Sequence, residues 1–141
     1  MDHVVYLDTQ AKELDQLLSG QKIMIIRGAT GRKLPHGRVD AGDILYFINN
    51  NAEGNVRARA IVKSAFHSEK MSADESRTLV EKNQPKLRLT EKQVQRWAGK
   101  RYLVLIEVAN VEAVAPFAID RSEYGNMDDW LPVEHIESVR R

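Results

Sequence analysis

The run Tyr102-Leu-Val-Leu-Ile-Glu-Val108, continuing to Val114, constrains the fold more than any other stretch of this chain. Tyr102, Val104, Ile106 and Val108 fall on one side of an extended backbone, opposite Leu103, Leu105 and Glu107, so a long strand is expected. Pro116 breaks that strand or places it at an edge, because proline donates no ladder hydrogen bond. Ile23 to Ile26 reads as a shorter strand buried on both faces, and His3 to Leu7 and Asp43 to Ile48 as two more. Val56 to Val62 alternates, with Val56, Ala58, Ala60 and Val62 opposite Arg57, Arg59 and Ile61. The asparagine-rich segment 49–55 turns the chain between these last two strands as a hairpin.

At 141 residues the chain can bury roughly 70% of its unfolded surface, and one domain over residues 1–141 is expected. It contains no cysteine, which excludes disulfides, thiolate metal sites and a cysteine nucleophile. No apolar run approaches the ~18 residues of a membrane helix, and the first residues lack the basic and apolar regions of a signal peptide. A cytoplasmic protein without a membrane partner is expected.

Helical signals fall between the strands. Asp8 or Thr9 can cap a helix that carries Ala11, Leu14, Leu17 and Leu18 on one face and closes at Gly20. Ser72 with Glu75, and Thr90 with Gln93, have capping-box spacing. The first of these helices is expected to stop near Pro85 and the second to close at Gly99. Residues 28–42 hold four glycines, Pro35, His36 and the three cations Arg32, Lys33 and Arg38, so a loop able to approach a ligand closely is expected there.

The charge is divided along the chain. Residues 1–101 carry 18 Lys and Arg against 12 Asp and Glu, whereas residues 102–141 carry 3 against 8. Such asymmetry suggests an anionic partner for the first part, while a solvated face of mixed charge is the plainer alternative. Lys22 and Arg27 bracket the buried strand, Arg32, Lys33 and Arg38 lie on the glycine loop, and Arg57 and Arg59 project from the hairpin. Converging in one groove, these cations would bind phosphates, the arginines through two parallel hydrogen bonds each. Five such contacts correspond to a log–log salt slope of about −3.5 on single strands. Trp97, flanked by Arg96 and Lys100, stands equally as a base-stacking aromatic or a helix-end core residue, and Trp130 reads as core.

Other chemistries find little support. The segment 28–33 lacks the ending of a phosphate-binding loop, and no serine-nucleophile elbow occurs. His3, His36, His67 and His135 have no zinc-ligand spacing. Neither a metal nor a cofactor is expected. Paired carboxylates such as Asp128 and Asp129 are compatible with acid–base work but ordinary in a polar tail.

Two further stretches carry a family resemblance. Leu18-Ser-Gly-Gln-Lys-Ile-Met-Ile-Ile-Arg27 resembles the helix, Gly-x-Lys turn and Arg-ended strand of the ASCH family in the PUA-like superfamily, and Ala41-Gly-Asp-Ile-Leu-Tyr-Phe47 resembles its Gly-Asp strand entry. Arg101 to Val108 is similar to its closing strand. The resemblance covers about residues 5–118 and leaves an acidic extension over 119–141. It implies the α+β class, a PUA-like mixed β pseudo-barrel with helices at its openings. It also implies a cleft beside the Gly-x-Lys turn that accepts RNA or a nucleotide-like ligand. Lys22, Arg27, Arg32, Lys33, Arg38, Arg57, Arg59 and Arg96 are then the phosphate-binding candidates, with Trp97 or Tyr46 for a base. One enzymatic branch of the family deacylates a modified cytidine with Lys, Thr and Glu. Only Lys22 matches it here, and Ile25 stands where a polar residue belongs, which removes the hydroxyl that reaction uses. An RNA-binding module is therefore the leading expectation, an enzyme acting on a modified nucleoside or nucleic acid through Lys22 the alternative, and a protein-interaction domain the third.

Overall fold

The computed structural model describes residues 1–125 and 127–141. Six strands, β1 (Asp2–Leu7), β2 (Met24–Ala29), β3 (Ile44–Asn49), β4 (Asn55–His67), β5 (Tyr102–Ala118) and β6 (Trp130–Glu134), form one sheet in the order β2-β5-β4-β3-β1-β6. β1 pairs with β3 in parallel, and the remaining neighbours are antiparallel. The helices are α1 (Glu13–Ser19), α2 (Ala73–Leu87) and α3 (Glu91–Trp97), followed late in the chain by a 3₁₀ turn at Ile136–Ser138. The sheet curls into a half-barrel, the expected α+β pseudo-barrel.

The curl has a local cause. The β4–β5 ladder shifts register at three places, between Val56 and Ala58, Arg59 and Ile61, and Val62 and Ser64. Each extra residue bends its strand and increases its twist. Pro116 sits in the first of these irregularities, because Val56 pairs with Phe117 while Ala58 pairs with Ala113. At that height β5 has left β2, whose pairing covers only 102–107, so the missing proline N–H breaks no ladder bond there. The strand accordingly runs on to Ala118.

Other boundaries differ from the sequence expectation. α1 begins at Glu13, not beside Asp8. Asp8 still works as a cap one turn early, its Oδ1 accepting from Ala11 N at 3.1 Å, while Glu13 Oε1 accepts from Asp8 N at 2.9 Å. α2 continues through Pro85 to Leu87. Pro85 lies in the final turn with Glu81 exposed on the preceding one, so the carbonyl it leaves unbonded faces water. The Gln84 side chain then closes that end, donating to Leu89 O and accepting from Leu89 N. Both capping boxes form as their spacing requires. β2 starts one residue late, leaving Ile23 exposed.

Three apolar clusters use both faces of the sheet. Ile25, Phe47, Val104 and Ile106 fill the barrel interior with Leu14 and Leu17 of α1 and with Trp130. Met24, Ile26, Leu103 and Leu105 point the other way, onto Val80 and Leu87 of α2 and Trp97 of α3. The acidic extension builds the third cluster, where Ile119, Leu131, Val133, Ile136 and Val139 pack on Val4, Ile48 and Val56.

The Trp130 core role is sealed by a buried polar chain. Its Nε1–H donates to His3 Nδ1 at 3.0 Å, which fixes the proton of a neutral imidazole on Nε2, donating to Asp43 Oδ2 at 2.8 Å. Burial lowers the His3 pKa from its ordinary 6.5, against the opposing pull of Asp43. Protonation would set a second N–H against the Trp130 N–H.

Two predictions follow for stability. The unfolded chain takes up a proton that folded His3 resists, so stability against urea declines as pH falls below about 6.5, and a His3→Gln variant loses this dependence. Gly28 is the other point: a Cβ there would lie 2.6 Å from Leu103 Cδ2 and 3.1 Å from Tyr102 O. Gly28→Ala lowers the unfolding free energy by about 1–3 kcal/mol, measured by chemical denaturation.

Candidate functional site

Arg27 leaves β2 and crosses to β1, although three strands separate the two within the sheet. Its Nη2 donates to Tyr6 O at 2.6 Å and its Nη1 to Ile26 O at 2.8 Å. The guanidinium lies 5.8 Å from the ring centroid of Trp97 and 5.7 Å from that of Trp130. It is 6% exposed, and its Nε has no hydrogen bond, with Asp129 Oδ2 close at 3.3 Å but out of line. The half-barrel is thereby tied across its open seam by one side chain.

A cleft of about 590 Å³ opens above this tie. Arg96 and Trp97 at the end of α3 form one wall, with the Arg96 guanidinium 4.3 Å from the Trp97 ring centroid. The extension forms the other through Asp128 and Asp129. Arg121 organises that wall: its Nη2 donates to the carbonyls of Gly125 and of Asp128, and its guanidinium lies 5.1 Å over the Tyr6 ring. Asp129 Oδ2 stands 3.3 Å from Arg27 Nε and 3.9 Å from Arg96 Nη2, one half-exposed carboxylate between two guanidiniums.

Lys22 takes a different position from the one expected of a phosphate ligand. Its side chain is wholly enclosed, with Nζ donating to Leu87 O and 3.3 Å from Glu13 Oε2. Burial lowers its pKa and the Glu13 carboxylate opposes that shift. The turn at Gly20, held with φ at 81°, aims the lysine inward. Glu13, whose pairing role the sequence reading missed, reaches from this ion pair toward the cleft wall.

The remaining candidates do not converge with Arg27 in a single groove. Arg32, Lys33 and Arg38 are exposed on the loop before β3, and none lines the cleft among the described residues. That loop is anchored elsewhere, by His36 on Ser68 O and His67 on Val39 O and on Gly37 N. Arg57 pairs with Glu53, and Arg59 pairs with Glu112 at 2.6 Å on the outer side of the β3–β4 hairpin. Tyr46 is on that hairpin too, edge-on to Phe117. Only Arg27, Arg96 and Trp97 of the sequence candidates meet in the cleft. Arg121 was missed, and Asp129 was read only as one of a pair of ordinary tail carboxylates; the signal for both was the charge of the extension itself. Among the described residues no cluster of His, Asp and Glu has metal-binding geometry, and no helix is long and apolar enough to cross a membrane.

No protein-family model matches the chain, and no curated protein matches it at a significant level. Solved structures do match. The ASCH protein of Zymomonas mobilis superposes with a TM-score of 0.67 at 15% identity, over 94% of this chain and 89% of its own. Two substituted forms of that protein give 0.70 and 0.71 at 14% and 12% identity, over 97% of this chain and 93% and 91% of theirs. The architecture is thus a PUA-like α+β pseudo-barrel. More narrowly, the chain has the fold of ASCH-domain proteins, and the likeness runs through most of the acidic extension.

The buried pair supplies a third prediction. Lys22→Met leaves the buried Glu13 carboxylate without its ammonium partner, with only the Asp8 N–H still bonded to it, and costs about 3–5 kcal/mol in denaturant unfolding, whereas adding Glu13→Gln restores most of that loss.

Proposed function

We propose that this protein binds single-stranded RNA through the cleft closed by Arg27. A phosphate takes the place of the Asp129 carboxylate between Arg27 and Arg96, and a base layers on the Arg96–Trp97 stack. The observation that carries this reading is the single carboxylate shared by two guanidiniums at the mouth of an open cleft. Arginine binds phosphate in the same planar fashion as carboxylate, and its guanidinium plane stacks on unpaired bases. The shared fold with ASCH-domain proteins supports the same reading.

The alternative, an enzyme acting on a modified nucleoside, needs Lys22 to meet its substrate. The enclosed ammonium of Lys22 and the wholly buried, apolar Ile25 favour binding over catalysis. Prolonged incubation with RNA and with an acylated cytidine separates the two, because turnover of either substrate overturns the binding-only reading.

Fluorescence anisotropy with the trinucleotide UpUpU over a salt series tests the cleft. Two phosphate-facing cations give a log–log slope of about −1.4. Arg96→Ala weakens binding by ~1–3 kcal/mol through loss of the stacking platform. Asp129→Asn tightens binding by about fivefold, since the competing carboxylate is half-exposed and its pairs hold about 1 kcal/mol. Affinity that ignores salt, or that falls in Asp129→Asn, defeats the phosphate assignment.

A further inference from the structure

The cations concentrated in the first hundred residues have a second meeting place. Arg32, Lys70, Lys100 and Arg101 are exposed, Lys100 and Arg101 immediately before Tyr102 at the start of β5. The Arg32 guanidinium lies 5.6 Å from the Tyr102 ring centroid, and His36 meets the same ring edge-on at 5.7 Å. Met71 N donates to Arg101 O at 2.9 Å, which holds the Lys70 segment beside β5. A hollow of about 540 Å³ opens there between Lys70, Ser72, Gly99 and Arg101. Among the described residues Lys70, Lys100 and Arg101 have no acidic partner, and the one partner of Arg32, Glu69, is itself 91% exposed. Cations crowded without counter-charges repel one another, and a polyanion relieves that repulsion.

This surface adjoins the cleft through the chain itself. Arg96 and Trp97 line the cleft, Lys100 N donates to Trp97 O at 3.2 Å, and Arg101 follows. Five peptide steps span at most ~18 Å, so a strand leaving the Arg96 platform reaches Arg101 within a few nucleotides. An arginine layered on an aromatic ring stands at each end of the strip, Arg96 on Trp97 and Arg32 on Tyr102. Such platforms accept successive unpaired bases of any sequence, while the cations between them follow the backbone.

We infer that the Arg32–Lys100–Arg101 surface is a second polyanion-binding site continuous with the cleft, and that the ligand is a single-stranded polynucleotide spanning both sites instead of a free nucleotide. This rests on the cleft reading but is separable from it by experiment.

The test compares UpUpU with an oligouridine 12-mer by fluorescence anisotropy over a salt series. The variants are Arg96→Ala and the triple Arg32→Ala/Lys100→Ala/Arg101→Ala, whose exposed positions leave the core untouched. The wild-type chain binds the 12-mer with a slope of about −3.5, and the triple variant with about −1.4 and roughly tenfold or more lower affinity. The triple variant keeps wild-type affinity for UpUpU, whereas Arg96→Ala loses affinity for both ligands. The inference is overturned if the 12-mer binds the triple variant with unchanged affinity and slope. It is also overturned if UpUpU binds the wild type as tightly as the 12-mer does, or if a duplex of equal length competes equally. Loss of UpUpU binding in the wild type, with 12-mer binding intact and dependent on the triple site, removes the cleft reading and the continuity with it.

Discussion

The reach of Arg27 across the open seam is the constraint on which the rest of this structure depends. A sheet of six strands that curls without closing leaves strand edges facing each other, and buried backbone carbonyls there need donors. Arg27 supplies them to Tyr6 and Ile26 while its flat face lies near two tryptophans. A lysine would bring charge without the fork of donors or the planar surface. The same side chain therefore closes the barrel, lines the cleft and leaves its buried Nε without a hydrogen bond. Fold and site share a single residue, so the position of the cleft is set by the closure of the sheet.

The division of charge along the chain acquires a physical meaning from the packing. The acidic extension is a structural wall: its apolar residues cover one face of β1, β3 and β4, and its Asp129 carboxylate meets Arg27 and Arg96 of the earlier part. Glu112, on β5, meets Arg59. The exposed Arg59 and Arg96 pairs contribute little to stability, so their placement matters more for the local field than for the fold. The Lys22–Glu13 pair is the contrast. Enclosed from water, it is costly to break, and it fixes where α1 meets the turn after it.

Much of the fold was legible because the relevant physics is local. The capping boxes at Ser72 and Thr90, the alternation of Val56 to Val62 and the doubly apolar strands each declare themselves within a few residues, and all formed. Pro85 and Pro116 misled for the same reason. Their cost depends on whether the lost N–H had a partner, which is decided by solvent at the end of α2 and by the departure of β2 from β5. The site was less legible. Lys22 was read as a phosphate ligand because composition does not reveal Glu13 waiting inside, and Arg57 and Arg59 likewise because their acidic partners approach from the hairpin turn and from β5. Arg27 was singled out as a cation, yet its role as a tie could emerge only once β1 and β2 were seen to face each other. Arg121 and Asp129 sit in a stretch whose order depends on tertiary hydrogen bonds to backbone carbonyls, for which no short sequence pattern exists.

Asp129 also bears on which anions could ever settle at the cleft mouth. Because it is tethered to the wall that Arg121 organises, its carboxylate faces the two guanidiniums at an effective concentration on the order of millimolar or above, independent of what is dissolved outside. A simple monovalent ion must outcompete an internal rival that never diffuses away. A species with several charges, or with a flat ring to lay on Arg96, holds on at more than one point and can displace it. The attached acid thus weighs against occupancy of this position by the abundant small ions of the medium.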